Sequence, residues 1–372
     1  MLKYCRSLPI VLLLLFAFGC PLQAEELRWF KGNLHAHTNR SDGDASPADV
    51  IRWYLEHEYD FLAITDHNVV ASIRGIVEKD GRRLLVIPGQ EVTSGMIHIT
   101  ALNVSGEIPS GLELMADEVT EYVTEHFRTK GLNEPRALGF SLLSQELKVI
   151  EGVVDAINAQ GGLAVLCHPV MSFDVEHLVQ AKGVRFIEIW NANVDGMYSV
   201  YSKWKKVPLT GISTTYRMPT RGSAEYRWSQ ALDEGKRYYG IAVDDAHHFS
   251  GSGALAGGGW IYVRARELSW PALKESLENG DFYATTGIIF KELSVTAEGE
   301  VTVEIAPEPK RTYTIKFISH GNKVVKSVSG TRGSYTAREE DVYVRVRADG
   351  GVNHMAWTQP VYYEGINPKE IA

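Results

Sequence analysis

KGNLHAHTNRSDGDASPADVIRWYLEHEYDFLAITDHN, residues 31–68, decides how the rest of the chain is read. His35 and His37 stand two residues apart, Asp42 follows in a Ser-Asp-Gly turn, and Asp66-His67 closes the stretch. An apolar run precedes each end, at 27–34 and at 61–64. Between them Ser46-Pro47-Ala48-Asp49 predicts a helix start, with Ser as N-cap, Pro at the first helical position and an acid at the third. The order is therefore strand, loop, helix, strand, loop, and in β/α folds the loops after strand C-termini carry the chemistry. Alternate residues of an extended segment face the same way, so His35 and His37 can face one ion. Imidazole with carboxylate suits Zn, Mn or Fe. A His-x-His pair also arises by chance, so its weight depends on the ligand-type residues further along the chain.

The chain has 372 residues, enough for a large domain and a small one. Its 44% hydrophobic and 23% charged content is that of a globular protein. A net charge of −8, from 38 basic and 46 acidic residues, gives no support for a nucleic-acid or anionic-membrane partner, and none is expected. Residues 1–24 read as a signal peptide: Lys3 and Arg6 start it, an apolar run at 10–18 is too short for a good membrane span, and Leu22-Gln23-Ala24 offers a cleavage site. A lipoprotein signal with the anchor on Cys20 is the second reading. Either places the mature chain, without a transmembrane segment, outside the cytoplasm and in the periplasm. Only Cys167 then remains as a thiol, so no intrachain disulfide forms. It reads as a buried small hydrophobe rather than a ligand or nucleophile.

Further strand-and-ligand units come next. The run 84–87 leads to Glu91, and 95–104 is a strand with His98 inside it. Residues 105–150 read as loop and helix. A helix at 153–160 ends at Gly161-Gly162, and the strand 163–167 stops at His168-Pro169, because proline cannot continue a central strand. Glu188 and Asn191 end the strand 184–190. A strand-end hydrogen bond and an Asx turn compete there with a functional role. Arg217, Arg221, Arg227 and Lys236 can each supply the cation that a small anionic substrate needs, and surface solvation is the competing reading. After the strand 239–243, Asp245 and His247 repeat the i, i+2 relation. Asp244 and His248 are the alternative pair. From about residue 290 short alternating segments predict an all-β, sandwich-like module over 289–372.

Buried-strand segments separated by helical ones repeat across 27–287, which predicts a β/α barrel rather than an open sheet. Six of the twelve histidines fall at these strand ends, and chance does not easily place them there.

In their order, His35-Ala36-His37, Ser41-Asp42-Gly43, Thr65-Asp66-His67, Gly89-Gln90-Glu91, His98, His168-Pro169 and Asp245-Ala246-His247 resemble the motifs of the PHP (polymerase and histidinol phosphatase) superfamily. The resemblance implies a distorted (β/α)7 barrel over 25–288 with two or three divalent ions, Zn, Mn or Fe. It implies one ion on His35, His37, Glu91 and Asp245. A second would share Glu91 with His98 and His168, and a third would sit on Asp42, His67 and His247. Asp66 would orient a ligand, and Asp42 stands where some members have His. Glu91, Asp245 and His247 would act in catalysis with a metal-bound hydroxide that attacks a phosphate mono- or diester. The same centre can hydrolyse a carbamate, carboxylic ester or amide, and a non-catalytic, metal-stabilised binding protein is the third reading. Phe282-Tyr283-Ala284-Thr285 and the C-terminal segments look like a secreted two-domain branch that includes carbamate-ester metallohydrolases.

Overall fold

The structure is a computed structural model that describes residues 27–114, 135–194, 223–250 and 256–363. The expected signal peptide, Arg217 and Arg221 lie outside the described residues. Eight strands build the N-terminal two thirds: β1 (Arg28–Asn33), β2 (Phe61–Ile64), β3 (Gly75–Lys79), β4 (Arg82–Ser94), β5 (Ile97–Leu102), β6 (Leu163–Leu166), β7 (Phe186–Asn191) and β8 (Tyr239–Val243). Two more, β9 (Trp260–Ala265) and β10 (Phe282–Thr285), flank the helix Trp270–Asn279. The C-terminal part holds β11 (Phe290–Val295), β12 (Glu300–Ile305), β13 (Thr314–Ser319), β14 (Lys323–Ser329), β15 (Arg332–Thr336), β16 (Tyr343–Asp349), β17 (Met355–Thr358) and β18 (Val361–Tyr362).

One mixed sheet runs β14-β13-β16-β17-β10-β9-β1-β2-β4-β5-β6-β7-β8, with β3 on β4 and β18 on β16. A second sheet is β11-β12-β15. The fold is mixed α/β, but no ladder joins β8 back to β1 among the described residues. The closed (β/α)7 barrel expected from the sequence is corrected to an open sheet. The reason is edge occupancy: β9 takes the second edge of β1, antiparallel from Arg28 against Ala265 to Gly32 against Ile261. The chain reaches from β8 to β1 only beyond the strand ends, at a single parallel bridge between Ala36 and Ala246. The alternation also breaks at β4–β5 and β5–β6, which pair antiparallel.

Local chemistry explains the elements that carry the site. Ser46 caps the helix Pro47–Glu56 by accepting from Asp49 N, with Pro47 in the first turn. That helix buries Val50, Ile51, Tyr54 and Leu55 against Leu62, Ile64, Leu84 and Val86 of β2 and β4, which seats the loop bearing His35 to Asp42. β4 is longer than expected. Its first half pairs in parallel with β2 up to Pro88, and from Gly89 to Ser94 it pairs antiparallel with β5. Glu91 therefore lies inside a strand, not past its end. The helix expected at 153–160 begins at Pro135 and runs to Ala159. In the C-terminal part, Phe290, Val301 and Val303 of the small sheet bury against Ile315, Phe317, Val344 and Val346 of the large one. Among the described residues no helix is long and apolar enough to cross a membrane.

Candidate metal centre

Four strand ends and one hairpin converge on Glu91. β1 delivers His35 and His37, β2 delivers His67, the β4–β5 hairpin brings Glu91 beside His98, β6 delivers His168, and β8 delivers Asp245 and His247. His35 Nε2 lies 3.1 Å from His37 Nε2, 3.1 Å from Glu91 Oε2 and 3.4 Å from Asp245 Oδ1. His37 Nε2 lies 3.2 Å from Glu91 Oε2 and 3.1 Å from Asp245 Oδ1. Four donors around one tetrahedral ion, with bonds of about 2.0–2.2 Å, stand about 3.3–3.6 Å apart, so this spacing is close to that of a coordination shell. Asp245 Oδ1 is buried with no hydrogen-bond partner. Such an orphaned oxygen is costly unless a cation faces it, and the donor set fits a divalent ion.

The other oxygen of Glu91 faces the opposite way. Oε1 is 2.8 Å from His98 Nδ1 and 3.2 Å from His168 Nε2. His67 Nδ1 stands 3.1 Å from Glu91 Oε2 and 2.7 Å from Thr93 Oγ1. At the mouth, half-exposed Asp42 brings Oδ2 within 3.5 Å of His67 Nε2 and 3.3 Å of His247 Nε2. His247 Nδ1 lies 2.9 Å from the Asp245 carbonyl oxygen, and its Nε2 faces Asp42. Buried His35, His37, Glu91, His168 and Asp245 form the floor, and partly exposed His67, His98 and His247 with Asp42 form the rim.

Residues behind the cluster hold it. Among the described residues no hydrogen bond or ion pair joins the Asp66 carboxylate to a histidine. That carboxylate accepts from Thr38 N (2.7 Å), Thr38 Oγ1 (2.8 Å) and Ser41 Oγ (2.8 Å), and so ties down the loop between His37 and Asp42. Glu188 Oε1 is 2.7 Å from His35 Nδ1, and Oε2 accepts from His168 N and Asn191 Nδ2. Asn191 Oδ1 accepts from Val194 N, three residues on, while its Nδ2 also reaches Asp245 Oδ2 at 3.1 Å. Asp244 points away, accepting from Tyr54 Oη and from the backbone of Gly257, Gly258 and Gly259. His248 is exposed, 3.4 Å from Asp44. Arg227 donates to the carbonyls of Pro169 and Phe173, and Lys236 to that of Ala181. Sequence reasoning passed over the hydroxyls of Thr38, Thr93 and Ser172; the last lies 3.0 Å from His168 Nδ1. Their only signal is a Ser or Thr one to four residues from a ligand-type residue.

Electrostatics agree with a site built for cations. Burial opposes charge on His35 and His168, yet the neighbouring carboxylates raise both. For His37 burial is likewise outweighed, by Asp245 and Glu91, and its pKa is pushed up to about 9. Burial would raise Glu91 and Asp245, but the histidines hold both well below the carboxylate range. His67 is lowered, by burial together with His37 and His98. Burial and the carboxylate of Glu188 drive the Cys167 thiol far upward, which makes it inert.

No family model matches the chain. Over 93 residues it is 34% identical to the 5′-3′ exoribonuclease Rnm of Escherichia coli (strain K12), and 33% identical to that of Salmonella typhimurium. Each match covers 23% of this chain and 32% of the relative, so the chain spans about a third of the length of these curated relatives. Among solved structures, a two-domain protein from Bacteroides vulgatus containing a "predicted PHP-like metal-dependent phosphoesterase" is similar over 90% of this chain and 96% of its own, at 14% identity and a TM-score of 0.44. An amidohydrolase from Chromobacterium violaceum is similar over 58% of this chain and 87% of its own, at 17% identity and a TM-score of 0.31. The resemblance of this chain to the PHP superfamily, read from the order of its motifs, is borne out, whereas the likeness to a branch of carbamate-ester metallohydrolases is not confirmed.

Proposed function

We propose that the protein is a metal-dependent phosphoesterase that hydrolyses a phosphate mono- or diester of a small anionic substrate at a site for two to three divalent ions, Zn, Mn or Fe. One observation carries the reading: the two oxygens of Glu91 face two separate sets of imidazole nitrogens, as a bridging carboxylate must. His35, His37 and Asp245 would hold one ion with Glu91, His98 and His168 a second, and Asp42, His67 and His247 a third. Bound ions polarise phosphoryl oxygens and lower the pKa of water enough for attack near neutral pH. The chain's own part is to fix nitrogens and carboxylate oxygens in place and to keep water off the floor of the cluster. Substrate enters at the rim, where Asp42, His67, His98 and His247 meet solvent. The partial likeness to an exoribonuclease supports phosphoester chemistry and makes a short RNA the first diester to try.

The test is metal per chain by elemental mass spectrometry, followed by hydrolysis of p-nitrophenyl phosphate, bis-p-nitrophenyl phosphate, a dinucleotide, and matched carbamate and carboxylic esters. Two to three ions, with phosphoester cleavage that chelator removes and metal restores, is the expected result. His37→Ala and Glu91→Ala should each abolish it while the fold survives. Cleavage of the carbamate or carboxylic ester alone would reassign the enzyme, and a loaded chain that cleaves nothing would make it a binding protein.

A further inference from the structure

We propose that Glu188, braced by Asn191, is a positioning residue that fixes which nitrogen of His35 is free to bind metal. The inference rests on the reading of the cluster as a metal centre. Glu188 is fully buried in β7. Two donors converge on its Oε2: the backbone N–H of His168 at 2.6 Å and the Asn191 carboxamide at 2.9 Å. Neither can become an acceptor. The first is a peptide amide, and the second is held in orientation because its own oxygen accepts from Val194 N at 3.0 Å. The remaining oxygen, Oε1, is 2.7 Å from His35 Nδ1. An ionised carboxylate only accepts, so Nδ1 carries the hydrogen and Nε2 points a bare lone pair at the space between His37, Glu91 and Asp245. The same Asn191 Nδ2 reaches Asp245 Oδ2 at 3.1 Å, which leaves Oδ1, the oxygen without a partner, as the one aimed into that space.

The consequence is an inverted mutational order. In Glu188→Gln the amide oxygen must take the Oε2 position, because two fixed donors meet there. The NH2 group then faces His35 Nδ1, which has to turn acceptor, and the hydrogen moves to Nε2, where it blocks the lone pair. Glu188→Ala removes more atoms but dictates no tautomer, since the polar gap admits a water that accepts from Nδ1. The conservative substitution should therefore damage metal binding more than the truncation does, whereas stability should fall in the reverse order.

The experiment takes the full chain and its Gln and Ala variants at position 188. It measures zinc affinity by chelator competition, zinc per chain, thermal midpoint, and the 15N shifts of the His35 ring in the zinc-loaded protein. The expected wild-type ring carries its hydrogen on Nδ1. E188Q should weaken zinc about a hundredfold or more, and E188A about tenfold, on the scale set by outer partners of metal ligands. A wild-type ring with hydrogen on Nε2 overturns the proposal even if neither variant folds. So does E188Q binding zinc as the wild type does, or E188A binding it more weakly than E188Q. A chain that shows the Nδ1 hydrogen and takes up zinc, yet cleaves no phosphoester, supports this inference and overturns the phosphoesterase reading instead.

Discussion

Glu91 lies within 3.2 Å of the ring nitrogens of five histidines, His35, His37, His67, His98 and His168. Without a cation, buried Glu91 and Asp245 draw protons onto His35, His37 and His168, whose pKa values are raised. A metal ligand must be the neutral imidazole, so each ion that enters displaces protons. Below the raised values the imidazoles are charged and compete with the ion, and the competition fades as pH climbs through about 9, the value for His37. Apparent Mn affinity is expected to rise from pH 6 to 9 with net proton release, and calorimetry in buffers of different ionisation enthalpy measures both. Affinity flat across that window would contradict it. At this scale the sequence was informative: alternate histidines and the Asp-x-His pair are short-range patterns, and strand periodicity alone lets each pair face one point. The choice between Asp244 and Asp245 had no such signal, because both come after the same strand. Tyr54, 190 residues away, and the backbone of Gly257 to Gly259, 13 to 15 residues on, show which one turns away.

Among the elements, β4 does most to shape the centre, because it changes partners at Pro88-Gly89 and so carries Glu91 from a parallel neighbourhood into an antiparallel hairpin. Gly89 is required by close approach: a methyl there would lie 2.8 Å from Thr65 Cγ2 and 2.9 Å from the Ala101 carbonyl oxygen. Gly89→Ala must therefore push β4 off β2 or β5. A loss of about 1–3 kcal/mol is expected from such overpacking, and activity should fall with it because Glu91 is two residues away. Denaturant unfolding and metal titration check the pair, and an unperturbed variant would show that the strand has slack. The Pro-Gly pair is also why the sequence marks only the run 84–87 as strand. Local composition marks a break, and nothing in it reveals that β5 is ready to take over the pairing. The helix at Pro47 was legible because its capping signals are local.

At the scale of the whole molecule, the C-terminal strands are tied to the N-terminal part through charge as well as through the continuous sheet. Arg345 of β16 is buried and donates to Glu225 Oε1 at 2.9 Å and Ser229 Oγ at 2.8 Å, and Arg347 donates to Glu225 Oε2 at 2.8 Å. Both acceptors lie on the helix Ala224–Asp233. Breaking such a buried pair from one side costs about 3–5 kcal/mol, so Arg345→Ala should lower the thermal midpoint sharply with little change in metal content. Burial would raise Glu225, but the two arginines hold it below its ordinary value. A depressed carboxylate contributes stability above its unfolded pKa and loses it as pH falls through the folded one. Acid should therefore loosen this link in the wild type, and the pH dependence should flatten in Glu225→Gln. Closure of the sheet was the long-range feature that sequence could not supply. Repeating strand segments mark many of the strands, though not β3, but which strand sits on the far edge of β1 depends on pairing with β9, more than 200 residues along the chain.

The sharing of Glu91 between ions would also set the sign of the local field. The three divalent ions proposed would bring twice the positive charge that Asp42, Glu91 and Asp245 can neutralise, and the histidines add no negative charge. A chain that carries −8 overall would then hold, once loaded, a patch of opposite sign at this cluster. Anions would be drawn in by the ions themselves, and the rim would need no arginine to attract them.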